Sequence, residues 1–151
     1  MGIRIRLSET PSDDYTAHWR RMDAYNEETV GDARGEAVSL VISPDDGDDF
    51  LGGLWAHALW GSFYIAFMFV PAEHRRSGVG SELMRRAEAW AIDKGCRHMW
   101  LETYAYQARQ FYERHGFEVF GQLDGPPPMF PRYFLQKKLP APERLNATSS
   151  Q

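Results

Sequence analysis

An uncharged run of 23 residues, from Phe50 to Ala72, occupies the middle of the chain and limits how it can fold. A run of this length is long enough to cross a bilayer as a helix. However, glycines interrupt it, Pro71 closes it, and Gly61-Ser62 separates two segments that are rich in aromatic and branched residues. This pattern is typical of a hairpin of two buried strands. Because no Lys- or Arg-rich flank supplies an orientation signal, we predict strands over 50–60 and 62–70 and no membrane span.

The other elements follow from the periodicity of apolar residues and from residues that start or stop helices. A chain of 151 residues is the size of one ordinary domain, and we expect residues 1–139 to form it. The tail, 140–151, is rich in Pro, Ala, Ser and Asn and is expected to be flexible. The remaining predicted strands are 3–7, 36–43, 97–103, 117–123 and 133–138, and the predicted helices are 10–30, 77–94 and 108–115.

The charge balance argues against a nucleic-acid partner. Lys and Arg number 17 and Asp and Glu number 21, which gives a net charge of -4, whereas nucleic-acid-binding proteins usually carry a basic excess. The charge is also uneven, since residues 1–73 carry five basic and 13 acidic side chains and residues 74–151 carry 12 and eight. This asymmetry favours an anionic ligand at the second half and a cationic ligand at the first.

Cysteine and histidine give no sign of a metal site or of a disulfide. The single cysteine, Cys96, excludes a disulfide framework and a Cys-rich zinc site. Because it follows a helix end, we expect it to be a small buried apolar residue. The five histidines show no spacing with Asp, Glu or Cys that suits a metal, so no metal is predicted. The start, Met1 to Arg6, lacks the apolar segment of a signal peptide, and we expect a cytoplasmic protein.

Glycine and arginine concentrate in the turn that follows the hairpin, between Phe69 and Ser81. The start of the next helix offers unpaired backbone N–H groups and a partial positive charge, which can hold a pyrophosphate. Glycines at 78 and 80 would let phosphates approach the backbone, and Arg75 and Arg76 would add charge-assisted donors. The segment lacks the Gly-Lys-Ser/Thr of a Walker A loop and the third glycine of a Rossmann fingerprint. A plain strand-to-helix turn is the alternative.

Two blocks of the sequence resemble those of the GNAT family of N-acetyltransferases. Arg75-Arg-Ser-Gly-Val-Gly80 is similar to the family's Arg/Gln-x-x-Gly-x-Gly/Ala motif, which cradles the pyrophosphate of acetyl-CoA. Gln107-Ala-Arg-Gln-Phe-Tyr-Glu-Arg-His-Gly-Phe117 is similar to its Ala-x-x-Phe/Leu-Tyr-x-x-x-Gly-Phe helix. The order of the blocks and their strand and helix context also agree, and the resemblance covers 3–139. One position departs from the pattern, because Ala105 stands where the family often has Asn.

The resemblance implies the fold and the co-substrate of a small, single-domain, bacterial-type member. The fold would be α/β (α+β), a mixed and mostly antiparallel sheet of six or seven strands flanked by about four helices. Its fourth and fifth strands, which are parallel neighbours, would splay apart to admit the pantetheine arm of acetyl-CoA. No metal is implied. The residues expected to bind acetyl-CoA are Phe69, Val70, Arg75, Arg76, Ser77, Gly78, Val79, Gly80, Ser81 and Phe111.

Acetyl transfer requires a proton donor for the departing thiolate, and the resemblance implies that Tyr112 fills this role. A phenol, whose pKa is about 10, keeps its proton near pH 7 until the sulfur develops charge. The alternative is that Tyr112 is only a core residue, because it shares one helical face with Phe111 and His115.

The amine must also lose a proton, and the base is harder to identify. Many members of the family carry a carboxylate on the fourth strand, but the segment Tyr64–Val70 has none. Glu102, at the end of the fifth strand, resembles the glutamate of the Leu-Glu-Val strand end in ribosomal-protein N-acetyltransferases, to which a base role is assigned. It would act through one water. A structural role for Glu102 and deprotonation by a chain of waters are the alternatives. Backbone N–H near Phe69 would polarise the thioester carbonyl.

The acceptor site of GNAT folds is built from the early helices, the fourth strand and the last loop. The resemblance implies transfer from acetyl-CoA to the primary amine of a small, cationic molecule, by direct attack in a ternary complex. An aromatic wall with acidic neighbours suits such a ligand, although the same side chains also suit a core. A protein or peptide N-acetyltransferase and a non-catalytic acyl-CoA-binding module are the alternatives, and a homodimer is compatible with all three. The expected acceptor residues are Tyr25, Asn26, Glu28, Tyr64 and Tyr104.

Overall fold

The computed structural model describes residues 2–32 and 35–142. Their contacts group into two units that divide after residue 33, the first with one helix and the second with a sheet and two further helices. In chain order the elements are α1 (Pro11–Val30), β1 (Glu36–Ile42), β2 (Gly52–Leu59), β3 (Ser62–Phe69), a 3-10 turn (Ala72–His74), α2 (Val79–Asp93), β4 (His98–Tyr104), α3 (Arg109–Arg114), β5 (Glu118–Leu123) and β6 (Arg132–Lys138).

The predicted elements match these bounds to within two residues, with one exception. The predicted strand over 3–7 is wrong, because residues 2–7 have no regular secondary structure. The apolar side chains of this alternating segment, Ile3, Ile5 and Leu7, are each at least 84% exposed, so they do not form a buried face. A strand is also stable in water only when neighbouring strands are hydrogen-bonded to it. The single domain over 1–139 stays a prediction. Most of the predicted tail, 143–151, lies outside the described residues.

The first unit consists of α1 and the segment before it. The helix begins at Pro11, whose fixed φ suits the first helical position. It ends at Gly31, which has a φ of 85° and donates its N–H to the carbonyl of Glu27 at 2.9 Å. None of the described helices is long and apolar enough to cross a membrane.

The second unit is built on one sheet with the strand order β1-β2-β3-β4-β6-β5. Every neighbouring pair is antiparallel except β3 with β4. This parallel pair is the one expected as the fourth and fifth strands, counted one lower because no strand forms over 3–7. One face of the sheet and the two helices bury a single core, in which Cys96 is only 1% exposed, as expected. The buried core residues include Leu54, Phe63, Met84, Ala87, Ala91, Met99, Leu101, Tyr112, Phe117 and Leu135.

The parallel pair at the centre of the sheet is short. Residues of β3 and β4 pair from Ser62 with His98 as far as Ile65 with Leu101. Beyond that point the two strands are not paired with each other, although β3 continues to Phe69 and β4 to Tyr104. A bulge between Trp55 and Ala56 of β2 changes the register of β3 at the same level. The C-terminal parts of β3 and β4 are therefore not paired with each other, and whether they splay apart stays a prediction.

Candidate active site

The turn after β3 leaves the start of α2 without a side-chain cap. Gly78, at the N-cap, has a φ of 87°, a conformation that favours glycine, and no side chain accepts from the first turn of the helix. The first hydrogen bond within α2 runs from the Glu82 N–H to the Gly78 carbonyl at 3.0 Å. The N–H groups of the preceding helical residues have no carbonyl one turn earlier to accept them. This arrangement fits an anionic group at the start of α2.

The turn is held to the end of β3 by Arg75. The Nε atom of Arg75 donates to the Val70 carbonyl at 2.9 Å, and its guanidinium lies 5.9 Å from the centre of the Phe69 ring. Arg76 follows with a φ of 62°, which is unusual for a residue other than glycine. The Ser77 hydroxyl donates to the His74 carbonyl and stabilises the turn from within. Five of the predicted cofactor-binding residues therefore shape one short turn.

Gly80 allows three elements to meet at the start of α2. A Cβ atom at this position would lie 3.2 Å from carbon atoms of the Phe111 ring and 3.5 Å from the terminal methyl of Met68. The sequence suggested that this glycine gives phosphates access to the backbone. The structure adds a packing reason, because α3 and β3 both approach Gly80 closely, and the role in phosphate access stays a prediction. By contrast, no atom lies within 4 Å of the position of a Cβ at Gly78.

Tyr112 is buried where α3 meets β3. Its ring packs edge-on against Phe111 and Phe117, and only 8% of the residue is exposed. Its hydroxyl donates to the Sδ atom of Met68 at 3.7 Å. Burial raises the pKa of Tyr112 to about 12. The phenol is therefore protonated at neutral pH, and its proton is engaged only with a weak sulfur acceptor.

Glu102 is held by two side chains from neighbouring strands. Its Oε1 atom accepts a hydrogen bond from the Tyr64 hydroxyl at 3.0 Å and forms an ion pair with Nη2 of Arg132 at 2.6 Å. Burial, followed by the hydrogen bond to Glu102, raises the pKa of Tyr64. The Arg132 guanidinium lies 5.3 Å from the ring centre of Tyr104 and 5.7 Å from that of Phe134. The structure thus brings Glu102 together with two of the predicted acceptor residues.

The two predicted catalytic residues face opposite sides of the sheet. In β4, Leu101 and Thr103 are buried on the side of the core that contains Tyr112. Because side chains alternate along a strand, Glu102 faces the other side. Tyr112 and Glu102 both lie near the point at which the pairing of β3 with β4 ends.

A row of aromatic rings crosses the face of the sheet that carries Glu102. Ring centres lie 5.8 Å apart for Trp55 and His57, 5.5 Å apart for His57 and Tyr64, and 4.2 Å apart for Tyr64 and Trp100. These residues alternate with buried ones along β2, β3 and β4. The sequence pattern indicated that these strands were aromatic, but it did not indicate that the rings would line up across them.

Several functional contacts could not be read from the sequence. Arg132 pairs with Glu102 across two strands that are distant in the chain. Met68 meets Tyr112, and the Ser81 hydroxyl lies 3.1 Å from Nε2 of His115. The sequence placed His115 only on the helical face of Tyr112, and its contact with Ser81 is new. A second such pair, Ser62 with Nε2 of His98 at 2.9 Å, lies at the other end of the sheet.

The acceptor residues predicted on α1 belong to the first unit. Tyr25, Asn26 and Glu28 lie in the last three turns of that helix, and their assignment to the acceptor site stays a prediction. Burial raises the pKa of the Cys96 thiol, as expected of a packed residue. Within 2–32 and 35–142, no group of three or more His, Cys, Asp or Glu residues could hold a metal ion.

Comparison with known proteins relates this site to one family. The model of the acetyltransferase (GNAT) family matches residues 4–117. Blasticidin-S acetyltransferase from Streptomyces morookaense is 32% identical over 111 residues, which cover 73% of this chain and 82% of that protein.

Solved structures agree with this match. The crystal structure of an acetyltransferase from Bacillus cereus has a TM-score of 0.76 and 28% identity, and the alignment covers 91% of this chain and 98% of that one. Nourseothricin acetyltransferase has a TM-score of 0.57 and 27% identity, with 70% of this chain and 66% of that one covered. Acetyl-CoA is the acetyl donor that the family uses. Since the family match includes both the uncapped turn and the helix of Tyr112, the chain belongs to the GNAT family and is an acetyltransferase.

Proposed function

We propose that the protein transfers the acetyl group of acetyl-CoA to the primary amine of a small, cationic molecule by direct attack in a ternary complex. The observation that carries this proposal is the position of Glu102. Its carboxylate lies at the end of an aromatic row, on the face of the sheet opposite to Tyr112. The two faces would each receive one substrate, and the unpaired ends of β3 and β4 would let them meet.

The turn and the start of α2 would hold the pyrophosphate. The uncapped N–H groups of the first helical turn supply donors, and Arg75 and Arg76 supply positive charge. The end of β3, including Phe69 and Val70, would bind the pantetheine arm through its backbone, and an N–H of this segment would polarise the thioester carbonyl. Acetyl-CoA itself supplies an activated acyl group and a thiolate leaving group.

Tyr112 would protonate the departing sulfur. Its hydroxyl is buried, its pKa is raised to about 12, and its only hydrogen bond among the described residues is to the sulfur of Met68. Such a phenol holds its proton until a stronger acceptor forms nearby, and a thiolate is a stronger acceptor than a thioether.

Glu102 would take the proton of the acceptor amine, directly or through one water. Its hydrogen bond with Tyr64 and its ion pair with Arg132 both involve Oε1. Oε2, which accepts no hydrogen bond among the described residues, would accept one from the ammonium group of the acceptor. The side chain is 25% exposed, which is enough for contact with a small ligand.

The aromatic row beside Glu102 supports a cationic acceptor. Rings of Tyr64, Trp100 and His57 offer π-faces and edges next to a carboxylate, and this combination attracts organic cations. The relatives named for blasticidin S and nourseothricin act on small molecules, and they support the choice of a small acceptor over a peptide.

The proposal is tested by a screen of acceptors with acetyl-CoA, in which released thiol is measured. The panel holds cationic antibiotics, polyamines, amino acids and peptides with free N-termini. We expect turnover with one or more small cationic amines and none with peptides, and acetylation of the amine is checked by mass spectrometry. Turnover with peptides alone would favour a peptide acetyltransferase. Tight binding of acetyl-CoA with no turnover across the panel would favour a non-catalytic binding module.

A further inference from the structure

His115 contacts the phosphate-binding turn through a single hydrogen bond. Ser81 is the third residue of α2, and its Oγ atom lies 3.1 Å from Nε2 of His115, which directly follows α3. The imidazole also packs against the Phe111 ring at 4.6 Å, and that ring fills the space beside Gly80. His115 therefore abuts the same helix start that is proposed to hold the pyrophosphate.

The charged groups around His115 come from three elements. Burial lowers the pKa of His115, and the neighbouring Lys137 of β6 and Arg114 of α3 lower it further. Glu88 of α2 raises the pKa of His115, but its carboxylate forms an ion pair with Lys137 at 2.7 Å. The imidazole is therefore neutral at pH 7 when no anion is near.

The direction of the hydrogen bond decides what the Ser81 hydroxyl can offer a ligand. If Nε2 carries no proton, Ser81 must donate to it, and only oxygen lone pairs remain to face a phosphate. If Nε2 carries a proton, as it does in one neutral tautomer and always in the imidazolium, the imidazole donates to Oγ, and the Ser81 O–H is free to donate elsewhere. A phosphate oxygen accepts hydrogen bonds and repels lone pairs, so it favours the second arrangement.

We propose that His115 is a positioning residue that takes up a proton when the pyrophosphate binds and thereby turns the Ser81 hydroxyl toward the ligand as a donor. This inference rests on the proposed function, because it requires the pyrophosphate to lie at the start of α2. Lys137 and Arg114 carry positive charges that disfavour the imidazolium in the free protein. The negative charge of the ligand offsets these positive charges and therefore favours the imidazolium. Binding is consequently tighter at pH 6 than at pH 8, since protons are bound more strongly by the complex than by the free protein.

The test uses dephospho-CoA as the ligand and calorimetry as the measurement. This probe keeps the pyrophosphate but lacks the 3′-phosphate monoester, which would itself titrate at about pH 6. Titrations at pH 7 in two buffers with different ionisation enthalpies give the number of protons taken up on binding. We expect a clear net uptake of protons by the wild-type protein, because the negative charge of the ligand favours the imidazolium.

Three variants separate positioning from a structural role. His115→Gln keeps a donor at the same reach but has no titratable proton, so it should bind as tightly as the wild-type protein with no uptake. His115→Leu should bind about fivefold to tenfold more weakly, because no side chain then orients the Ser81 hydroxyl toward the ligand. His98→Gln is the matched control, since His98 makes the equivalent contact with Ser62 outside the turn. It should change neither the affinity nor the uptake. Thermal unfolding of each variant confirms that it is folded.

The outcomes distinguish this inference from the proposed function. Binding by the wild-type protein without proton uptake, or uptake that persists in His115→Gln, would overturn the role of His115 and leave the cofactor site standing. Unchanged affinity in His115→Leu would do the same. Failure of the folded wild-type protein to bind dephospho-CoA at all would overturn both.

Discussion

The hydroxyl of Tyr112 donates to the sulfur of Met68 at 3.7 Å, and this contact joins α3 to the end of β3. A thioether accepts weakly, so the phenolic proton is held in a fixed direction without being strongly engaged. Met68 stands on the strand where other family members often carry an acid. Here that strand positions the proposed proton donor and supplies no base of its own.

Tyr112→Phe removes the hydroxyl and keeps the ring. We expect turnover to fall by about 10²- to 10⁴-fold if proton transfer to sulfur limits the rate, with the affinity for acetyl-CoA unchanged. Steady-state kinetics with a saturating acceptor measures the effect. Tyr106→Phe is the control, because Tyr106 is exposed and its ring stacks on Tyr104 and meets Phe130 edge-on. Equal turnover in the two variants would rule out Tyr112 as the acid.

Glu102→Gln tests the base. The variant keeps the shape of the side chain but cannot accept a proton, so we expect kcat/KM for the acceptor to fall, with the affinity for acetyl-CoA unchanged. Steady-state kinetics at one pH, with the acceptor concentration varied, measures the fall. Glu36→Gln is the control, because Glu36 forms an ion pair of the same length, 2.6 Å, with Lys94 away from the site. Equal values of kcat/KM in Glu102→Gln and Glu36→Gln would assign the proton to another group or to water.

The titration of Tyr64 reports on the same cluster without any substrate. The hydrogen bond and the charge of Glu102 raise the pKa of Tyr64, whereas the charge of Arg132 lowers it. In Glu102→Gln the phenol should therefore ionise at lower pH than in the wild-type protein, and in Arg132→Met at higher pH. Absorbance titration with Tyr64→Phe as the reference isolates this tyrosine. Shifts in the same direction in both variants would contradict the arrangement.

Gly78→Ala separates stability from ligand binding. The left-handed φ of 87° costs a residue with a Cβ about 1–2 kcal/mol, although the space around Gly78 is open. Gly61→Ala should cost a similar amount, since Gly61 has a φ of 75°, open surroundings and a place in the hairpin turn. Only Gly78→Ala should weaken binding of CoA, because its methyl group faces the anion. Chemical unfolding and calorimetry measure the two effects, and equal affinity in both variants would place the anion elsewhere.

The local patterns predicted most of the second unit. Alternation and turn residues located the hairpin, and the two blocks located the turn and the helix of Tyr112. Ile3 to Leu7 show the limit of alternation, because a strand also needs a neighbour, and none of the described residues pairs with them.

Contacts between distant segments could not be predicted in the same way. Arg132 reaches Glu102 because β6 pairs with β4 in one particular register, with Arg132 opposite Tyr104. Ser81 and His115 are 34 positions apart and meet only because Gly80 admits Phe111. Such contacts depend on side-chain packing across elements, and a single sequence carries no periodic signal for them.

The early end of the pairing between β3 and β4 has a consequence for how this protein can diversify. Backbone atoms of β3 beyond Ile65 do not pair with β4, so they can serve a ligand whatever side chains the strand carries. If acetyl-CoA is bound through the main chain of β3, side chains on the aromatic face of the sheet can be substituted without loss of acetyl-CoA binding. Under the proposed function, exchange of side chains such as Trp100 or Tyr64 would change the acceptor while the donor site stays the same.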